Sequence, residues 1–197
     1  MKKNTHTNSH THNSTPKRSP LKDFFTCIRN FFFCLRYPFW RIYDFRTGKV
    51  STYLTTYYDE IYPGWQKAFG HTLSKELLKA LKEECLAQYQ ATGKKPKFTD
   101  ILTFIDIKEK WGALSFSANT TDRIFAVLDK YEELSMHYCS ICGRPAEYVT
   151  RPYISFRCEF CFLEYMKDIR FHSTEEAMRY LDDHLISHIP HTQRESS

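Results

Sequence analysis

The apolar positions of this chain fall into helical stripes broken by one alternating stretch. In 21–36, LKDFFTCIRNFFFCLR, a step of about 100° per residue places Lys22, Asp23, Thr26, Arg29, Asn30 and Arg36 on one arc. Phe24, Cys27, Ile28, Phe31, Phe32, Cys34 and Leu35 fall on the other, and Phe33 is the one apolar residue in the polar arc. This predicts an amphipathic helix ended by Pro38. Its apolar arc is expected to pack on the protein's own core or on a partner, with a membrane interface as the alternative. Cys27 and Cys34 read as small buried hydrophobes, with acylation as the other option. The pattern leaves open whether 21–46 folds against the body or stands free.

In 47–70, Tyr53, Leu54, Tyr57, Tyr58 and Ile61 keep a loose helical period before Pro63–Gly64, read as a turn. Leu73, Leu77, Leu78, Leu81, Cys85 and Tyr89 form the buried stripe of a helix over 73–90, closed by Gly93. Ile101 to Ile107 and the alternating Leu114 and Phe116 predict two strands, with Lys108 to Gly112 as their connection. Thr121 or Asp122 then caps a helix over 123–136, with Ile124, Val127, Leu128, Tyr131 and Leu134 inward. Phe162, Tyr165, Met166 and Ile169 mark another helix. Ser173-Thr-Glu-Glu176 is a capping box for a C-terminal helix carrying Ala177, Met178, Leu181, Leu185 and Ile186, ended by Pro190.

Charge changes this picture at the N-terminus. The chain has 28 Lys+Arg, 23 Asp+Glu and a net charge of +5, with 42% hydrophobic residues. Residues 1–50 alone carry a net +8, and 51–197 a net −3. The basic character therefore belongs to an arm, with Lys22, Arg29, Arg36, Arg41 and Arg46 as candidate partner- or membrane-binding residues. Residues 4–15 are all Asn, Thr, His or Ser and cannot repay the entropy of ordering. His6, His10 and His12 are read as part of that polar tail. No apolar run approaches the roughly 18–20 residues of a spanning helix. A secretory signal is not expected, because Lys2 and Lys3 lead into polar residues.

Seven cysteines lie at 27, 34, 85, 139, 142, 158 and 161. The odd count and the pairing of the last four argue for a reducing compartment and a metal, not a disulfide framework. Cys139-Ser-Ile-Cys142, fifteen residues, then Cys158-Glu-Phe-Cys161 is C-x2-C-x15-C-x2-C, the spacing of a structural zinc site. Each C-x2-C turn offers two thiolates, and Gly143 suits a left-handed turn after the first pair. The interval suits a β-hairpin over 147–150 and 153–157, turning near Arg151–Pro152. The second pair opens a helix. Knuckle, hairpin, knuckle, helix is a treble-clef order, with a zinc ribbon as the close alternative. Four thiolates leave no coordination position for water, so one structural Zn2+ is expected.

Other chemistries lack their residues. There is no H-x-E, H-E-x-x-H, Walker loop, dinucleotide fingerprint or nucleophile elbow. Residues 143–157 contain no His, which weighs against HNH-type nuclease chemistry. Residues 137–172 carry a net of only +1, little for tracking a nucleic-acid backbone. Tyr148, Tyr153, Phe156 and Phe160 could stack bases, but a small core around the metal is the plainer reading. His184 and His188 are spaced i, i+4 as a helical metal pair would be, with surface histidines the plainer reading. Lys108, Glu109 and Lys110 invite a catalytic reading, weighed against a solvated loop. Trp111–Gly112 is expected to be a structural corner with the indole filling a gap between sheet and helix.

Gly64-Trp65, Phe69-Gly70, Ile107-Lys108-Glu109-Lys110-Trp111-Gly112, Leu114, Phe116, Tyr131-Glu132, Ser135, Cys139, Cys142-Gly143, Cys158 and Cys161 together form a pattern. On these residues, 62–165 resembles a group of small bacterial and phage proteins with an I-K-E-K-(F/W/Y)-G-x-L-x-(F/W) motif before a C-x2-C-G…C-x2-C site. The resemblance implies a zinc-binding fold and a bacterial or phage origin, and it implies no activity. Ala113 stands where Gly is common, Ser115 where Arg is common, and Tyr153 near a usual Trp.

The fold expected is α+β: a small helix–β-hairpin–helix body, then a zinc-ribbon or treble-clef module, then a C-terminal helix. The expected divisions are a tail (1–20), a basic arm (21–50), the body (51–136), the zinc module (137–172), the last helix (173–190) and a tail (191–197). The expected function is a zinc-binding, non-enzymatic interaction protein of the cytoplasm, with peripheral attachment at the inner membrane face as an option. A protein partner is expected first, an anionic membrane surface second and nucleic acid third. The rival readings are a nucleic-acid binder using the arm and zinc hairpin, and an enzyme with a site near 106–112.

Overall fold

A computed structural model describes residues 19–42, 49, 52–150, 153–167, 175–176, 178–179 and 185–188. The polar tails, Arg46, the Arg151–Pro152 turn and His184 lie outside the described residues. Helix α1 spans Pro20–Arg36, with Pro20 at its first position, where a missing N–H costs nothing. Tyr37 leaves the helical conformation before Pro38, as a residue preceding proline must. A single 3-10 turn, Pro38–Trp40, then places Phe39 and Trp40 in the core. The Trp40 ring stacks on Phe104 at 5.1 Å, and its N–H donates to Ser74 Oγ at 3.0 Å. The segment after α1 is thus part of the body's core.

Pro63–Gly64 begins a helix instead of making a turn. An α-helical Pro63–Trp65 runs through π-helical Gln66–Gly70 into α2 (His71–Thr92). Proline at the first helical position explains the start. Tyr58 presses on this widened segment. A Cβ at Gly70 would lie 2.1 Å from its hydroxyl oxygen, and Gln66 Nε2 donates to Tyr58 O at 2.9 Å and Ile61 O at 2.8 Å. Gly93, at φ 69, ends α2 as a left-handed cap.

Strand β1 (Leu102–Lys110) pairs antiparallel with β2 (Ala113–Thr120). A bulge between Phe104 and Asp106 breaks the alternation, so Leu102, Phe104 and Ile107 are buried while Ile105 faces out. β1 continues to Lys110, and the connection is only Trp111–Gly112, not the loop over 108–112. Both residues have positive φ, 55 and 85, as a two-residue primed turn requires. Helix α3 (Asp122–Ser135) buries Ile124, Leu128, Tyr131 and Ser135 against α2 and β2. The α2–α3 ion pairs, such as Lys130 with Glu76 at 2.8 Å, are exposed and contribute little.

The last unit holds β3 (Tyr148–Thr150), β4 (Ser155–Arg157), α4 (Glu159–Lys167) and β5 (Leu185–His188). The sheet order is β4-β3-β5, with both pairings antiparallel. Residues 175–176 and 178–179 are helical, but 185–188 are strand, so the helix expected to run to 190 stops short. Pairing of β5 with β3 overrides the local helical period at Leu185 and Ile186. His188 therefore lies on a strand, and the i, i+4 helical spacing proposed for His184 and His188 does not hold.

Candidate metal centre

The backbone turn over Cys139–Gly143 builds the first half of the site. Gly143 N–H donates to Cys139 O at 2.9 Å, and Cys139 N–H donates to Arg144 O at 2.8 Å. Gly143 sits at φ 78, where a side chain would be strained. The β3–β4 hairpin returns the chain to Cys158, and Cys161 lies in the first turn of α4. Phe162 N–H donates to Cys158 O at 3.0 Å. The second pair therefore rests at a helix start, where backbone N–H groups favour thiolate.

The sulfurs of Cys139, Cys142, Cys158 and Cys161 all lie within 4.8 Å of one another, and those of Cys142 and Cys158 are 3.4 Å apart. A tetrahedral ion with metal–sulfur bonds of about 2.3 Å sets sulfurs roughly 3.8 Å apart. The cluster fits that shell. Cys139, Cys158 and Cys161 are buried, and Cys142 is partly exposed. Burial pushes the Cys158 and Cys161 thiols up, and the neighbouring thiols add to it at Cys161. At Cys142 burial also pushes up, but the Arg144 backbone N–H and the other three thiols outweigh it and leave the thiol below its ordinary range. Four sulfurs this close ionise together only around a cation, so the donor set suits a metal ion.

The site is bolted to the body through residues singled out in the sequence pattern. Gly64 N–H donates to Ser140 O at 2.9 Å. A Cβ at Gly64 would lie 2.2 Å from Cys139 O, and one at Gly143 would lie 2.5 Å from Gly64 O. The buried Trp65 N–H donates to Ser135 O at 3.1 Å and Tyr138 O at 3.2 Å. Ser135 Oγ in turn accepts Leu114 N–H at 2.8 Å, and a Glu132 carboxylate oxygen accepts Phe116 N–H. Burial raises the Glu132 carboxyl above the usual range, while the Phe116 N–H pulls it down and leaves a net rise. Phe69 packs on Tyr131 and Tyr138. Gly112 lets the first hairpin meet the second, since a Cβ there would lie 2.9 Å from Ile154 O.

The candidate enzyme residues have other work. Lys108 pairs with Asp106 at 2.5 Å in the open, and Glu109 accepts Gly112 N–H at 2.5 Å to close the turn. Trp111 fills no gap: it is 73% exposed. The turn geometry throws its side chain outward, while Gly112 makes the close contact. Of the aromatics weighed for base stacking, Tyr148 stacks on Phe162, Phe160 lies under Arg144, and Tyr153 is exposed.

Helix α1 is docked on the body by one side and leaves most of its apolar arc outward. Its buried and half-buried side is Asp23, Thr26, Cys27, Asn30, Phe33 and Cys34, a repeat of three and four. Asn30 is 3% exposed and donates to Tyr53 O at 2.9 Å. Leu21, Phe24, Phe25, Ile28, Phe31, Phe32 and Leu35 remain 39–65% exposed. Of the apolar arc, Cys34 reaches the core and Cys27 is half-buried, while Phe24, Ile28, Phe31, Phe32 and Leu35 stay outside it. Cys34 is fully buried, its thiol pushed up to about 11 mainly by burial, which argues against acylation there. Lys22, Arg29 and Arg36 are exposed, seven residues apart. Arg41 is off this row, half-buried with its guanidinium 5.9 Å from the Tyr53 ring. Among the described residues, no helix is long and apolar enough to cross a membrane.

Neither family models nor curated proteins nor solved structures match the chain.

Proposed function

We propose that this is a non-enzymatic interaction protein whose fold is completed by one structural zinc ion and whose outward α1 face is its contact surface. The observation that carries it is the use made of the polar and aromatic pattern. The four sulfurs close a coordination shell among themselves. Trp65, Glu132 and Ser135 bind backbone groups, and Glu109 closes a turn. Four cysteine thiolates in tetrahedral array are the usual donor set of structural zinc, favoured by geometry and metal availability and not by raw affinity. The order knuckle, hairpin, knuckle, helix supports a treble clef over a simple ribbon. The odd cysteine count and the gathering of the last four at one site support a reducing, cytoplasmic setting. The pattern from Gly64 to Cys161 supports a bacterial or phage origin.

Cobalt substitution tests the closed site. One Co2+ per chain is expected to give the absorption of a tetrahedral tetrathiolate centre, unchanged by azide or imidazole. A spectrum shifted by either ligand would reveal an open position, and with it catalytic chemistry. Zinc removal is expected to erase hydrogen-exchange protection over 138–167, since the ion supplies energy that so short a segment cannot gain from its own core. Protection that survives removal would refute the structural role.

A further inference from the structure

Resting on the reading of α1 as the contact surface, we infer that its occupant is the surface of an anionic phospholipid bilayer, met by a helix already folded against the body. At 17 residues, α1 is about 26 Å long. Successive positions at about 100° divide it into three parallel strips. The strip centred on Asn30 is docked on the body. The opposite strip, Phe24, Phe25, Ile28, Phe31, Phe32 and Leu35, contains no hydrogen-bonding side chain and remains open to solvent. Lys22, Arg29 and Arg36 form the third strip, along one edge of the apolar one. Arg29 reaches Asp59 at 3.7 Å and donates to Asn30 Oδ1 through Nε and Nη2 at 3.1 Å, yet 70% of its side chain stays exposed.

A continuous apolar strip of this size on a soluble surface marks an interaction site. The charge beside it decides the occupant. A flat anionic surface meets every basic residue of the row at once, while the phenylalanines enter the boundary between headgroups and acyl chains. An antiparallel second copy would instead bring two basic rows to the same seam. The positive charge is also concentrated here: Lys2, Lys3, Lys17 and Arg18 precede the helix, whereas residues 51–197 carry a net −3. Because the docked side is already engaged, with Phe33 on Tyr58, Cys34 in the core and Asn30 on the Tyr53 carbonyl, α1 can enter the lipid interface without leaving the body.

Co-sedimentation of the full zinc-loaded chain with vesicles tests this. Phosphatidylcholine vesicles containing phosphatidylglycerol are expected to bind it, pure phosphatidylcholine far less, with binding weakened by salt. Lys22→Gln, Arg29→Gln and Arg36→Gln are expected to cost about fivefold each and about a hundredfold together. Phe24→Ser with Phe32→Ser should cost more than tenfold, because both rings are exposed and their burial in lipid is lost. Zinc content, and hydrogen exchange over 64–150, should be unchanged in both variants, since Arg29 bonds to Asn30 and Asp59, both outside that span. No sedimentation with either vesicle would overturn the inference. So would binding that both variants retain, which would assign it to residues 1–18. Self-association abolished by the Phe24/Phe32 variant, without vesicle binding, would give the face to a second copy and leave the proposed function standing. Failure of the cobalt test would remove the closed structural site and leave the lipid result untouched.

Discussion

Replacing Gly64 by alanine tests whether the metal unit and the body are one structure. Gly64 is the second residue of its helix, and its backbone conformation is open to any residue, so alanine there is not strained by φ. Helix propensity alone would favour alanine by about 1 kcal/mol. The new methyl, however, would sit 2.2 Å from Cys139 O and 2.5 Å from the carbonyl atoms of Ser140. These are backbone atoms in a turn that holds a metal ligand, so they cannot rotate away. Relief requires the knuckle to move, with an overpacking cost of about 1–3 kcal/mol. It also stretches the Gly64 N–H to Ser140 O bond, worth about 1 kcal/mol. The net loss is about 1–3 kcal/mol, a fall in Tm of roughly 3–10 °C for a chain of this size. Thermal unfolding of the zinc-loaded protein, paired with competition by a chromophoric chelator, would measure it. Gly93→Ala is the control. Its φ of 69 makes alanine costly, but no atom lies within 4 Å of the new methyl. It should therefore lower Tm without changing zinc retention, whereas Gly64→Ala should change both. A Gly64→Ala protein with Tm within about a degree of the parent and unaltered zinc competition would refute the seating of the knuckle on the helix start.

Ser135→Ala would leave the buried Leu114 N–H without its acceptor, at a cost of about 1–3 kcal/mol read from urea unfolding. Trp111→Asn should raise Tm by a few degrees. Trp111 holds φ 55 with its ring 73% exposed, so little burial is lost, while asparagine tolerates this turn position by about 1 kcal/mol better.

The elements with strong local signals were legible in order and approximate extent. Gly93 closes α2, Thr121 precedes α3, and the two C-x2-C turns bracket a hairpin. Those features depend on neighbours in the chain. The bulge at β1 was not legible, because it answers to the spacing of core positions across the hairpin and not to alternation along one strand. Nor was the close approach of Gly64 to the knuckle, since nothing local distinguishes a glycine kept for space from one kept for a turn. Its place beside Trp65, in a pattern continuing to the cysteines, was the available signal.

By itself, the sequence determined that four thiols gather at one point, because loop length and knuckle geometry limit where each sulfur can reach. It also determined that α1 has a polar and an apolar side, because helical period alone separates them. Only the tertiary structure decided which side meets the body. Trp40, Phe39 and Tyr37 fill the core beside α1, and what remains for the helix includes the Tyr53 carbonyl, matched by the Asn30 amide. The same holds for β5, where a sheet edge at β3 outweighed a helical period, and for Trp111, which the turn directs into solvent. Periodicity reports that a residue differs from its neighbours. Which partner it meets depends on surfaces built by distant parts of the chain.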